Sequence, residues 1–175
     1  MKKITIALTP ESVQKAIYDL EAYQRGLAIK SRFLLQSLSN IAINTAKMNR
    51  GEFAQYIVTE RRHVEFRGGH TQRDSVIIKQ TGFVPVSWQN SSGIKTVNIS
   101  PLMMAEYGSG QYALPGHRGT FPGQKHAFQN YWTWKDLDGV EHKSSGVHPT
   151  QPGLKAANAV RNNEKRVARE VFGSG

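Results

Sequence analysis

The chain of 175 residues contains no cysteine. That absence excludes a disulfide framework and any thiolate metal site, and nothing in the sequence calls for an oxidising compartment. Long apolar runs are missing too: no stretch approaches the ~20 apolar residues of a membrane-spanning helix, so no membrane partner is expected. The apolar start that follows Met1-Lys2-Lys3 is broken by Thr5 and ends at Thr9-Pro10. It is too short for the core of a secretory signal, which makes intracellular synthesis the default expectation. Acidic residues are few, 13 against 23 Lys+Arg, leaving a formal charge of +10. Hydrophobic residues, at 38%, fall slightly below the globular average, while 16 Gly and 7 Pro point to a body with long loop excursions. A chain of this length is expected to form one domain, residues 1–175, burying roughly two thirds of its unfolded surface.

The chemistry of a catalytic or metal centre is equally thin. Four of the six histidines, His117, His126, His142 and His148, fall in a loop-rich segment near Asp136, Asp138 and Glu141. None of them has the i, i+4 or short fixed spacing of a zinc site. A metal-dependent nuclease built on Glu106, Asp136 and Asp138 would need those carboxylates to converge on one ion, and Asp138 is already explained by an Asp-Gly turn. Neither a nucleophile elbow nor a phosphate-binding loop occurs; Arg67-Gly68-Gly69-His70 lacks the G-x-G-x-x-G spacing. The sequence therefore predicts no enzyme, no catalytic residue, no metal and no cofactor.

What is present is a succession of elements. Ile4, Ile6 and Leu8 alternate with polar or small residues as in a short half-buried strand over 2–8. Thr9 as N-cap and Pro10 at the first helical position open a helix over about 10–24, with Val13, Ala16, Ile17 and Leu20 on one face. Gly26 is a candidate break. Beyond it, Leu27, Ser31, Leu34, Leu35, Leu38, Ile41, Ala42 and Thr45 recur at three- and four-residue steps in a long amphipathic helix ending near Gly51. Strands are predicted at 63–67, 76–79, 83–88 and 94–99, Pro85 marking its strand as an edge or bulge. Phe53 to Val58 and Leu102 to Ala105 fit more than one conformation. Gly108 to Gly123 forms the start of a long loop, taken to about residue 130, and such loops tend to be functional or disordered. We expect it to order only against a neighbouring molecule. Asp138-Gly139 turns a hairpin over 131–143. A last helix carries Leu154, Ala157, Val160, Val167 and Phe172 on its buried side. Strands in succession without intervening helices predict an α+β fold, an antiparallel sheet packed against the long N-terminal and the C-terminal helix.

Charge and aromatics carry the functional clues. Basic residues outnumber acidic ones by 8 to 3 in residues 1–50, by 6 to 4 in 51–100 and by 5 to 2 in 151–175, but the counts are equal, 4 and 4, in 101–150. The excess is scattered without a long basic run, as on ordinary solvated helix faces or on a surface that sits near a polyanion. Tyr107, Tyr112, Phe121, Phe128, Tyr131, Trp132 and Trp134 gather in the uncharged segment. Aromatics there either cover the sheet or form the centre of a protein–protein interface. A single-strand nucleic-acid platform would interleave them with cations, which this segment does not.

Three motifs of 101–157 resemble a known family. Ala105-Glu106-Tyr107-Gly108 is similar to its E-[FY]-G motif, Trp132-Thr133-Trp134 through Asp138-Gly139 to its aromatic hairpin, and Gln151-Pro152-Gly153-Leu154-Lys155-Ala156-Ala157 to its Q-P-F-x-x-P-A segment. Gly153 and Ala156 replace the Phe and Pro of that last motif. The family is that of tail-completion and minor capsid proteins, which join head to tail in long-tailed phages. The resemblance implies a non-enzymatic virion subunit of the neck, made in the bacterial host's cytoplasm. It implies a homo-oligomeric ring, hexamer or dodecamer, that meets connector and tail-tube proteins and lets genomic DNA pass without sequence preference. Glu106, Tyr107, Gly108, Tyr112, Phe121, Trp132, Trp134 and Pro152 are the candidate interface residues; Lys30, Arg32, Lys47, Arg161 and Lys165 are the candidate lumen residues. The rival class is a sequence-independent nucleic-acid-binding protein, whose mark would be one contiguous basic stripe.

Overall fold

The computed structural model describes residues 9–66, 71–90, 92–114 and 130–173. The strand expected over 2–8 lies outside these residues, as do Phe121, Phe128, His117, His126 and the 115–129 part of the long loop. The fold is α+β: a long N-terminal helix, two antiparallel sheets and a C-terminal helix.

Helix α1 runs unbroken over Pro10–Met48, 39 residues, so Gly26 does not divide it. A glycine costs a helix only about 1 kcal/mol relative to alanine, too little to stop a segment flanked by good helix formers. Thr9 caps the helix as expected, its hydroxyl accepting from the Ser12 amide. No atom lies within 4 Å of where a Gly26 Cβ would stand. Gly26→Ala is therefore expected to stabilise the chain by about 0.5–1 kcal/mol, seen as a higher urea midpoint with an unchanged slope.

At its far end α1 is tied to the first sheet by Arg50, which donates to the Lys47 and Ile57 carbonyls. Strands β1 (Ile57–Glu65) and β2 (Gln72–Gln80) pair antiparallel over their whole length, Ile57 opposite Gln80 and Glu65 opposite Gln72. Cross-strand partners share a face. Ile57, Val76 and Ile78 turn inward, and Val76 and Ile78 pack against Ala42 and Ala46 of α1 and Ala156 of α3 (Pro152–Phe172). Alanines at that contact let the two helices and the sheet approach closely. Ile57 is fully buried, a contribution of about 2–3 kcal/mol. Leu34, Leu38 and Ile41 are half-buried along the same helix.

The second sheet has the order β4-β3-β5-β6, from β3 (Val84–Asn90), β4 (Gly93–Ile99), β5 (Trp132–Lys135) and β6 (Glu141–Ser144). β3 is interior in that order, yet it meets β5 only at Gln89 opposite Lys135. Pro85 thus sits where β3 is still an open edge, as a residue without an N–H requires. This sheet makes no substantial contact with α1 or α3; it stands out from the body as an arm.

One open stretch resolves here, and the expected buried face of the last helix needs correction. The stretch 102–105 belongs to a short helix, α2 (Pro101–Tyr107), capped by the Ser100 hydroxyl, which accepts from the Met103 amide. On α3, Leu154, Ala157 and Phe172 are exposed; the inward stripe is Pro152, Ala156, Val160, Asn163, Val167 and Val171. That stripe repeats every eleven residues (Pro152 and Asn163, Ala156 and Val167, Val160 and Val171), about 3.67 per turn, so it stays on one side of a nearly straight helix.

Candidate functional site

Two of the three motifs that carried the family resemblance meet in one place. α2 ends at Gly108, and its last carbonyls and side chains receive the chain returning from the hairpin. The Ala105 carbonyl accepts from the amides of Thr150 and Gln151 at 2.8 and 2.9 Å. The Glu106 carboxylate accepts from the amides of Gly153 (2.9 Å) and Leu154 (2.9 Å), the first turn of α3. Gln151, the N-cap residue of α3, has left-handed backbone (φ 55°) and offers no side-chain cap, so a carboxylate from another helix does that work. Its negative charge also suits the positive end of the α3 dipole. The E-Y-G and Q-P motifs are thus two halves of one knot.

Gly108 and Gly146 close it. Gly108 has φ 72°, and a Cβ there would lie 2.8 Å from Pro149 Cδ and from the carbonyl oxygens of Tyr112 and Val147. Segments 108–111 and 145–147 run side by side: the Ser109 amide donates to the Val147 carbonyl, the Gln111 amide to the Ser145 carbonyl, and the Val147 amide to Ser109 Oγ. Gly108, Ser109 and Gly110 are buried, Tyr112 stacks on His148 at 3.6 Å between centroids, and the Leu114 amide donates to the Tyr107 carbonyl. This corrects the expectation for the start of the long loop. Residues 108–114 are held by their own chain, through a contact between segments over thirty residues apart that no local pattern could announce.

The candidate interface residues divide accordingly. Pro152 and Gly108 are buried by the subunit itself, and Glu106 spends both oxygens on α3; these three shape the knot and offer little to a neighbour. Tyr107 and Tyr112 are half-buried beside it. Trp134 is half-buried on the arm and stacks on His142 at 5.3 Å; the Trp132 side chain lies outside the description. Tyr131, Leu137 and Val140 of the same hairpin are all more than half exposed.

Substituting the capping residue is informative. Glu106→Ala removes two charge-assisted hydrogen bonds and leaves the first turn of α3 uncapped. A loss of about 2 kcal/mol is expected from the cap and charge together, with Glu106→Gln intermediate, measured by chemical denaturation.

The acidic residues once considered as metal ligands are otherwise engaged. The Asp136 carboxylate accepts from the amides of Asp138 and Val140 and from His142 Nε2 at 2.7 Å, closing the five-residue connection between Lys135 and Glu141. The hydrogen bond from His142 and those from the two amides hold its carboxyl below the ordinary value. Asp138-Gly139 alone does not make the turn; Asp136 organises it. Among the described residues no group of three or more His, Asp or Glu is placed to hold a metal ion.

Sequence reasoning missed one charged cluster altogether. On the inner face of the first sheet Asp74, with its side chain 3% exposed, accepts from Ser39 Oγ (2.9 Å), Arg61 Nε (2.7 Å) and His63 Nδ1 (2.5 Å). Burial pushes the Asp74 carboxyl up, but the hydrogen bonds from His63, Ser39 and Arg61 outweigh it and hold it below its ordinary value. An Asp–His pair invites comparison with hydrolytic triads, which need a hydroxyl or thiol on the outer imidazole nitrogen. Among the described residues the buried His63 Nε2 has no partner, and the nearby Ser39 hydroxyl is spent on Asp74. Among the described residues the cluster has no nucleophile in place.

The candidate lumen residues do not share one surface. Lys30 and Arg32, two positions apart on α1, point about 200° apart around the helix. Arg161 and Lys165 lie with Arg169 at four-residue steps along the exposed face of α3, about 12 Å in all. Lys47 is exposed at the end of α1. No helix among the described residues is long and apolar enough to cross a membrane.

The larger feature is the apolar surface left open at two separate places. One is the arm. The other is the first third of α1: α3 ends with Val171 beside Gly26 and Ile29, and β2 begins with Gln72 donating to the Ala28 carbonyl. Among the described residues, 10–25 therefore project beyond α3 and the first sheet by about 24 Å, although Ala16 within this stretch is buried. Val13, Ile17, Leu20 and Leu27, which continue the inward stripe of the helix, are between 43% and 53% exposed. Compared with protein-family models, curated proteins and solved structures, the chain matches none of them.

Proposed function

We propose that this chain is a structural subunit of a tailed bacteriophage virion that assembles into a ring at the head–tail junction. The observation that carries the reading is the pair of separate apolar surfaces, the projecting part of α1 and the arm, on a body whose core is already closed. A subunit that associates through two different patches makes a heterologous contact, and heterologous contacts close into rings when the rotation per subunit allows it. Exposed apolar surface at both places is what such contacts would cover. The motifs of 101–157 support the same reading from the sequence, and the knot that two of them form gives the rigid centre from which α1 and the arm extend.

The rival reading, a nucleic-acid-binding protein, gains less. The basic series Arg161, Lys165 and Arg169 on α3 could meet only a few phosphates along about 12 Å of helix. Such a surface tolerates DNA in a lumen more readily than it grips it. Negative-stain electron microscopy of the purified protein tests the proposal. Closed rings of six or twelve copies are expected, and antibody labelling should place the protein at the neck of the virion. Open filaments, isolated monomers or a label elsewhere on the particle would count against it.

A further inference from the structure

Charge is shared unevenly between the layers of the subunit. Strands β1 and β2 hold four Lys or Arg against three Asp or Glu, and the arm, over 84–99 and 131–144, holds three of each. The two long helices differ from both. α1 has no Asp or Glu after Glu21, while Arg25, Lys30, Arg32 and Lys47 follow it; α3 adds five Lys or Arg against Glu164 and Glu170. Some of these cations are already engaged. Arg25 pairs with Glu21, Lys30 is half-buried, Lys155 donates to Asn49 Oδ1, and Arg166 pairs with Glu170. Arg161, Lys165 and Arg169 make no ion pair among the described residues.

Those three share one face with two asparagines. At about 100° per residue, Asn158, Arg161, Asn162, Lys165 and Arg169 fall within a band about 100° wide and about 17 Å long, opposite the inward stripe, and all five are exposed. Glu164 lies about 60° outside one edge, beside Arg161, and the paired Glu170 about 80° outside the other. Every side chain in the band carries an N–H donor, three of them charged, and none is a carboxylate. Between Asn158 and Arg169 the band also lacks any apolar or aromatic residue; Leu154 and Phe172 stand beyond its ends. A protein interface would place such residues at its centre, and a single-strand platform would need aromatics on which bases stack. Arg, Lys and Asn without them fit the phosphate oxygens of a duplex, which carry no sequence information.

We propose that this face of α3 lines the lumen of the ring and meets the phosphate backbone of duplex DNA. The assignment rests on the ring reading and fixes how each subunit is turned within it, with the outer face of α3 toward the axis. Three cations per copy make a weak contact. A ring repeats that contact around the duplex, so DNA is centred without being held at any one sequence.

Salt dependence tests it. Binding of the assembled protein to a duplex of roughly 30 base pairs and arbitrary sequence is followed by fluorescence anisotropy between about 50 and 200 mM salt. Each phosphate neutralised contributes about −0.9 to the slope of log K against log salt. Arg161→Gln/Lys165→Gln/Arg169→Gln should therefore flatten the slope by about 3 or more and weaken binding at least about tenfold at ~100 mM salt. Arg62→Gln/Arg73→Gln/Lys95→Gln removes the same charge from exposed strand positions and should leave the slope within about 1 of wild type. Both variants should stay folded by circular dichroism and form rings in negative stain. Equal slopes for the two variants overturn the α3 assignment and spare the ring. Rings lost in the α3 variant alone would put that face at a subunit contact and overturn the assignment, as would wild-type rings that fail to bind the duplex at about 50 mM salt. A wild-type chain that stays monomeric yet shows the α3-dependent slope overturns the ring and leaves the DNA contact standing.

Discussion

Gly146→Ala is expected to cost the chain roughly 4 kcal/mol or more, a loss that would leave little of the stability of an ordinary domain. Gly146 has φ 110°, where an L side chain is strained, and a Cβ would run into the Ser109 carbonyl oxygen and lie 2.7 Å from its carbon. Both are backbone atoms, so no side chain can swing away. The strand-like pairing of 108–111 with 145–147 would have to part, and with it the hydrogen bonds that Ser109 and Gln111 make. Gly139→Ala is the control. Its φ is 83°, but nothing lies within 4 Å of a Cβ there, so only backbone strain of about 1–2 kcal/mol is added. The difference between the two urea midpoints measures the close approach itself. If Gly146→Ala proves as mild as Gly139→Ala, the knot is not the rigid centre described above. A ring reading would then also lose its mechanical basis, because α1 and the arm would no longer be fixed relative to one another.

How much of this the sequence shows depends on the range of the interaction. Thr9-Pro10 announces the start of α1 because a cap works through residues three apart, the alternation that begins at His63 overlaps the end of β1, and the β-branched run 76–79 lies within β2, since side chains of a strand alternate between its faces. Asp136 is a middle case. Its carboxylate reaches residues two, four and six positions on, and the Asp-Gly pair beside it drew attention away from it. Glu106 was singled out from its motif, but its task was invisible, because the amides it caps lie 47 and 48 residues later. The inward stripe of α3 escapes the sequence for a related reason. Leu154 and Phe172 are the most apolar residues there, yet a helix packed against alanines of α1 turns its small residues inward and leaves those two outside.

The charged cluster on the inner sheet face marks the limit of that legibility. In sequence, Arg61, His63 and Asp74 are ordinary members of two alternating strands, and Ser39 is a polar residue on a helix. Only the register that sets His63 opposite Asp74, and the placing of α1 over that face, brings them together. The same observation explains why charge counts said nothing of it: the group holds one carboxylate among cations and changes no segment total by much.

Asp74→Asn should therefore be destabilising although the side chain keeps its shape. The carboxylate satisfies three donors at once, and an amide of the same size cannot accept from all of them without turning its own N–H groups toward Arg61 or His63. Leaving a buried cation without its counter-charge typically costs about 3–5 kcal/mol, and Arg61, a quarter exposed, places this case near the lower figure. The effect carries its own pH signature. Because the folded-state value lies below the ordinary 3.8, the carboxylate contributes its full stabilisation above about pH 5 and loses it as the pH falls through 3.8 to the lower folded value. The asparagine variant has no proton to take up there. Wild type and variant should thus differ most at neutral pH and converge in acid, as followed by urea midpoints between pH 7 and pH 3. A difference that stays constant across that range would mean that packing, not the charge of Asp74, holds α1 on the sheet.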